Sequence, residues 1–188
     1  MKAILISIHP QWVELILNFI KKDEIRKGTA LYKAINKLIA EQGVAPTFIY
    51  CTKGKQEIGK FNTKGNYEYS LNGKVVARFN ATAEHIEYET CSRDISGWWK
   101  DDGKMYDHKD ACLTYKEMFD YIGAGEGTVV HINDLEIFDK PKEISEFYRI
   151  VKTDIGYCID DIEKQKPITL NACKNITKAP ESWCYVEV

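Results

Sequence analysis

The sequence predicts a mixed α+β fold in which a small barrel or curled sheet of six or more strands carries helices between its strands. Three observations lead there. Short runs of β-branched and aromatic residues alternate with polar ones, two longer segments repeat apolar residues at the helical period, and Gly, Pro and Asn punctuate the boundaries. The 188 residues and 21.6 kDa suit one domain spanning 1–188 and would be cramped for two. With 44% hydrophobic and 29% charged residues the composition is globular, which excludes disordered and fibrous classes.

Residues 3–8 form an apolar β-branched run that stops at His9-Pro10, where proline cannot extend a central strand but suits the first turn of a helix. In that helix Trp12, Leu15, Ile16 and Phe19 fall at i, i+3, i+4 and i+7 and predict the buried stripe. Residues 21–27 (Lys-Lys-Asp-Glu-Ile-Arg-Lys) read as a short charged extended segment. Thr29 caps a second helix through Gln42, with Leu31, Ala34, Ile35, Leu38 and Ile39 as its apolar stripe and Gly43 closing it. Residues 46–52 follow as a strand.

Asn72-Gly73 predicts a two-residue hairpin joining residues 67–71 to 74–79, and alternation continuing to residue 89 predicts a long, bent strand. Residues 91–111 lose all periodicity among Gly97, Gly103, five aspartates and the pair Trp98-Trp99, and predict a long surface loop. Those tryptophans either make contacts there or fold back over the core. Thr114 heads a helix to Ile122 with Met118 and Tyr121 facing inward, ended by Gly123-Ala124-Gly125. Residues 128–138 read as an alternating strand, Lys140-Pro141 as the start of a short helix, and residues 183–188 as the last strand.

Charge and cysteine content narrow the function classes. Residues 1–64 hold 11 Lys and Arg against 5 Asp and Glu, a net of +6; residues 65–188 hold 15 against 23, a net of −8. Either the basic third offers an anion-binding face, or the two sequence segments mix on the folded surface. No apolar run reaches the length of a membrane span, and the first residues lack a secretory signal, so the expected setting is cytoplasmic with no membrane partner. The six cysteines are then expected as reduced thiols, and with no C-x-x-C pair among them no metal site or cofactor is called.

The charged segment carries the chemistry. If it is extended, Lys22, Glu24 and Arg26 share one face and Lys21, Asp23, Ile25 and Lys27 the other, so Lys21 and Glu24 point apart unless a turn intervenes. A lysine acting as a base must fall from about 10.4 to about 7–8. Lys22 favours that fall and the two carboxylates oppose it, leaving an ion-paired and a catalytic Lys21 both open. Arg26 can grip a phosphate or carboxylate with two parallel bonds, or pair with Glu24 or Asp23. Lys53 can add a phosphate contact. Trp12, Tyr50, His131 and Trp183 can stack on a base, with core packing as the alternative for Trp12 and His131. No Ser-His-Asp spacing, glycine-rich phosphate loop or H-x-x-x-H pair is present.

Taken in order, 6–10 (Ile-Ser-Ile-His-Pro), 21–27, 49–53 (Ile-Tyr-Cys-Thr-Lys), 73–76 (Gly-Lys-Val-Val), 112–117 (Cys-Leu-Thr-Tyr-Lys-Glu), 131–135 (His-Ile-Asn-Asp-Leu), 139–143 (Asp-Lys-Pro-Lys-Glu) and 182–186 (Ser-Trp-Cys-Tyr-Val) resemble the ASCH domain of the PUA-like superfamily, most of all its bacterial and phage-borne members. The resemblance implies a small PUA-like β-barrel of about six strands flanked by helices, with a basic cleft beside the first helix that binds RNA or a nucleotide. Lys22, Arg26, Lys27 and Lys53, with Tyr50, His131 and Trp183, are then the expected ligand-binding set. Some relatives are similar to acetylcytidine amidohydrolases, which are metal-independent and use a lysine and a threonine of the charged segment with a separate glutamate. Lys21 matches that lysine, Glu24 stands at the threonine position, and the separate glutamate has no assigned counterpart. The alternative expectation is therefore hydrolysis of an acylated nucleoside through Lys21 and Glu24.

The family pattern has a Gly-Lys pair where Phe19-Ile20 stands, which predicts a longer helix and a narrower cleft. Residues 29–43 read as a helical insertion that is a lid, a partner surface or extra core. A third reading is a mobile-element protein-interaction factor working through that helix or the Trp98-Trp99 loop.

Overall fold

The computed structural model describes residues 1–61, 63–90, 96–157 and 167–187, with side chains described outside 150–173. In chain order the elements are β1 (Lys2–Ile8), α1 (Pro10–Leu17), β2 (Asp23–Lys27), α2 (Ala30–Gln42), β3 (Pro46–Cys51), β4 (Gly59–Phe61), β5 (Tyr67–Ser70), β6 (Val75–Thr90) and β7 (Ser96–Lys100). A 3-10 turn (His108–Ala111), α3 (Tyr115–Ile122), β8 (Glu126–Lys142), a second 3-10 turn (Ile144–Glu146), β9 (Tyr148–Tyr157), β10 (Pro167–Asn175) and β11 (Trp183–Glu187) complete it.

The apolar run of β1 is buried on both faces, as a central strand requires. It pairs parallel with β3 on one side and antiparallel with β11 on the other. The main sheet runs β10-β9-β11-β1-β3-β6-β8-β2, with β7 added to β6, and apart from β1–β3 its pairs are antiparallel. Among the described residues the ladder stays open, with β10 and β2 at its ends, so the mixed α/β class stands while closure into a barrel is not seen. Ile4, Ile6, Ile8 and Ile49 face a core covered by Val13 and Ile16 of α1 and Leu31, Ile35 and Leu38 of α2. Ala3, Leu5, Phe48 and Tyr50 face a second core with Phe147 and Val186. A third gathers Ile25, Ile86, Trp98, Tyr106, Met118 and Val129 beneath β7 and α3.

α2 forms as its period predicts, and Gly43 closes it in the left-handed conformation at φ 81°. α3 carries a full capping box between Thr114 and Glu117. β6 is the long strand expected, bent at two register shifts against β8.

Five expectations need correction. α1 ends at Leu17: Asn18 takes the Glu14 carbonyl with backbone and side chain, and Phe19 turns left-handed at φ 59°. The buried positions are Pro10, Val13 and Ile16, while Phe19 is 65% exposed and Tyr121 of α3 is 39% exposed. The Asn72-Gly73 turn forms, but its flanks do not pair: β5 joins β4 and β6 joins β3, because Val75, Ala77 and Phe79 complete the core there. Residues 96–100 are strand β7, not loop, and Trp98 is 3% exposed between Tyr88, Tyr115 and Phe119. Burial of so large an aromatic surface outweighs the local turn chemistry; residues 91–95 of the expected loop lie outside the described residues. Finally, Lys140-Pro141 extends β8, where a register shift leaves proline without a missing ladder bond. No helix among the described residues is long and apolar enough to cross a membrane.

Candidate functional site

The proline that starts α1 turns the chain away from β1, and the early stop of α1 sends it back under the helix. Ile20 and Lys21 donate their N–H groups to the Leu15 carbonyl, at 2.9 and 3.2 Å, before β2 begins at Asp23. Lys21 therefore precedes the strand, and the strict alternation that would set it opposite Glu24 does not apply. A cavity of about 460 Å³ opens where β1 ends, α1 begins and β2 runs past. Ser7, His9, Trp12, Lys21, Glu24 and Arg26 line it, with Thr52 beyond β3 and Glu181 and Ser182 before β11. Its far wall is Leu113, Glu117 and Tyr121, spaced by four residues so that one stripe of α3 and its lead-in faces the cavity.

The charged side chains form one chain of contacts. Lys21 Nζ lies 3.5 Å from Glu24 Oε2 and donates to the Ala111 carbonyl at 2.6 Å, with its side chain 2% exposed. That carbonyl closes a 3-10 turn, where the backbone presents partial negative charge to an ammonium. The same ammonium sits 5.2 Å from the centroid of the Trp12 ring. Arg26 Nη2 lies 3.0 Å from Glu24 Oε1 and donates to the Ser7 carbonyl at 2.6 Å. Arg26 Nε is buried with no hydrogen-bond partner among the described residues. Glu24 is thus held between two cations in a water-poor setting, where ion pairs and hydrogen bonds strengthen one another.

The other candidates are placed elsewhere. Lys22 is exposed and pairs with Asp110 at 3.8 Å. Lys27 reaches the rim, its Nζ 5.2 Å from the centroid of the Tyr121 ring. Lys53 lies exposed against the Gly73 turn, and Tyr50 is buried in the core on the opposite face of β3 from Cys51. Trp183 packs against the helix-covered core and edge-on to Tyr185, although its neighbours Ser182 and Glu181 line the cavity. His131 stands behind β2, bonded to Asp23. Phe19 and Ile20 do not narrow the opening, since both turn outward.

The sequence reading therefore found the Lys21, Glu24 and Arg26 group and missed the α3 wall, whose signal was the i, i+4, i+8 spacing of Leu113, Glu117 and Tyr121. Cys51 is no nucleophile: burial pushes its thiol up to about 12. No cluster of three or more His, Cys, Asp or Glu among the described residues could hold a metal ion. A larger concavity of about 890 Å³ lies across the sheet over Phe48, Phe138 and Phe147. It lacks a buried charged array, its Arg78 already pairing with Glu136 at 2.6 Å, so the chemistry concentrates in the smaller cavity. Compared with models of known protein families and with curated protein sequences, the chain matches none.

Proposed function

We propose that the chain is an ASCH-type binding module whose cleft takes a nucleoside-sized ligand, its base against Trp12 and its polar edge on Lys21, Glu24 and Arg26. One observation supports this reading above the others: a cavity of about 460 Å³ joins an aromatic wall to a buried array of paired charges. The carboxylate of Glu24 accepts donors such as an exocyclic amino group, and the two cations offer donors to ring and carbonyl acceptors. The lining carries Glu24, Glu117 and Glu181 against Lys21 and Arg26, which favours a base over a phosphate. The mostly antiparallel sheet with α1 and α2 packed on one core goes with a PUA-like architecture in this reading. A cytoplasmic setting with reduced thiols goes with this reading.

Titration calorimetry with the common ribonucleosides tests it. At least one binds the wild type, and Trp12→Ala weakens it by the roughly 1–3 kcal/mol that stacking contributes. No heat with any nucleoside or nucleoside monophosphate would sink the proposal.

The 3.5 Å approach of Lys21 to Glu24 favours a second reading, hydrolysis of an acylated nucleoside. In that reaction Glu24 takes a proton from water, and the water oxygen bonds the acyl carbon. The C–N bond then breaks, the proton passes to the leaving nitrogen, and Lys21 faces the developing oxyanion. Incubation with an acetylated cytidine checks it: release of acetate by the wild type and its loss in Glu24→Gln are expected, and an intact substrate counts against it.

A further inference from the structure

A strand sends successive side chains to opposite faces, so β2 delivers Glu24 and Arg26 to the cleft and Asp23 behind it. Asp23 is 6% exposed and accepts two hydrogen bonds, from Tyr106 Oη at 2.8 Å and from His131 Nδ1 at 2.8 Å. His131 lies opposite Asp23 in the β2–β8 ladder. On its other side His131 Nε2 is 3.4 Å from Glu84 Oε2 of β6, which Lys100 of β7 holds at 2.7 Å. Lys21 acts on Asp23 through its charge from the cleft side. Asp23, Tyr106, Glu84 and Lys100 are thus the titratable and charged groups set around His131 among the described residues.

We propose that Tyr106, Asp23 and His131 clamp β2 from behind, and that protonation of His131 sets the position and field of the Lys21–Glu24–Arg26 array, making ligand affinity in the cleft depend on pH. The ligand half of this inference rests on the nucleoside reading above. With His131 protonated, its charge balances that of Asp23. When the proton leaves, the Asp23 carboxylate stands uncompensated next to Glu24 in the chain, and the two carboxylates compete for Lys21. His131, Asp23 and Tyr106 do not themselves line the cleft, so they are positioning residues. The hydrogen bond to Asp23 raises the proton affinity of His131 and outweighs its burial, which places the transition above the ordinary histidine value.

Two readouts test the clamp in the full chain. The first is the side-chain Nε–Hε resonance of Arg26 followed by NMR through a pH titration, beside the ring signals of His131. The Arg26 resonance shifts with the His131 midpoint in the wild type, and the shift disappears in His131→Gln. Asp23→Asn, which removes the charge and keeps the shape, lowers the His131 midpoint. The second readout is ribonucleoside affinity at about pH 5.5 and about pH 8.5, which differs about fivefold or more in the wild type and not in His131→Gln. An Arg26 resonance that stays flat through the His131 transition overturns the clamp, as does pH dependence retained in His131→Gln. Ribonucleosides that bind at neither pH overturn the cleft reading and the affinity half with it. The Arg26 titration then decides the clamp alone, and it needs no variant to fold.

Discussion

Glu24 holds together the two cations of the cleft, and its removal is more damaging than that of a surface carboxylate. Glu24→Ala leaves the Lys21 ammonium buried with, among the described residues, only the Ala111 carbonyl as acceptor, and breaking a buried pair from one side costs about 3–5 kcal/mol. Urea unfolding measures it; a loss under about 1 kcal/mol would mean the pair adds little. The Asp23–His131 pair makes a second residue-scale prediction. Folding raises the His131 value through its bond to Asp23, so its stabilisation is complete below about pH 6.5 and fades as pH climbs through the raised value. Burial pushes the Asp23 carboxyl up, but the bonds from His131 and Tyr106 and the nearby charges outweigh it. That contribution is complete above about pH 3.9 and fades as pH falls through the lowered value. The stability gap between wild type and His131→Gln is therefore widest at about pH 5–6 and shrinks by about pH 8–9. A gap that grows with pH would contradict the pairing.

At the scale of elements, the junction of α1 and β2 sets Lys21 in place. Phe19 adopts φ 59° while 65% exposed, a conformation that costs a bulky residue about 1–2 kcal/mol and glycine little. Glycine reaches this left-handed conformation without a Cβ clash, which is the physical reason it suits the position. Phe19→Gly accordingly stabilises the chain by about 1 kcal/mol, less the entropy a glycine adds to the unfolded chain, and a lowered melting temperature would show that Phe19 makes contacts worth more than its strain. α3, which walls the cleft, depends on its capping box. Thr114→Ala removes the two hydroxyl bonds between Thr114 and Glu117 and costs about 1 kcal/mol by denaturant unfolding, whereas no change would place α3 stability wholly in its packing on Trp98.

For the whole molecule, the distribution of lysines bears on whether its surface could track a phosphate backbone. Lys22 pairs with Asp110, Lys27 lies over Tyr121, and Lys53 sits against the Gly73 turn without lining the cleft, so these three lysines do not converge on the cavity. RNA affinity measured by fluorescence anisotropy should fall with a shallow salt slope, one or two counterions at most; a slope of about five or more would restore a phosphate-reading surface.

Much of the fold was legible. The central strand, both long helix signals, the Thr114 cap and the long bent strand follow from periodicity and capping, which are local properties of the chain. So was the charged segment, because Lys, Glu and Arg crowded beside an apolar helix have few places to go. The sequence by itself determined which residues are apolar, where α1, α2 and α3 start and where α2 and α3 stop, and which charges lie near one another along the chain. Tertiary structure alone decided that Trp98 is core, that β5 leaves its expected partner for β4, that Tyr121 walls a cleft, and that of the two roles open to His131 it takes the hydrogen-bonded one behind β2. Those outcomes depend on which surfaces remain to be covered once β1, β3 and β6 have paired, and burial between residues far apart in sequence outweighs the turn and propensity preferences that a local reading weighs.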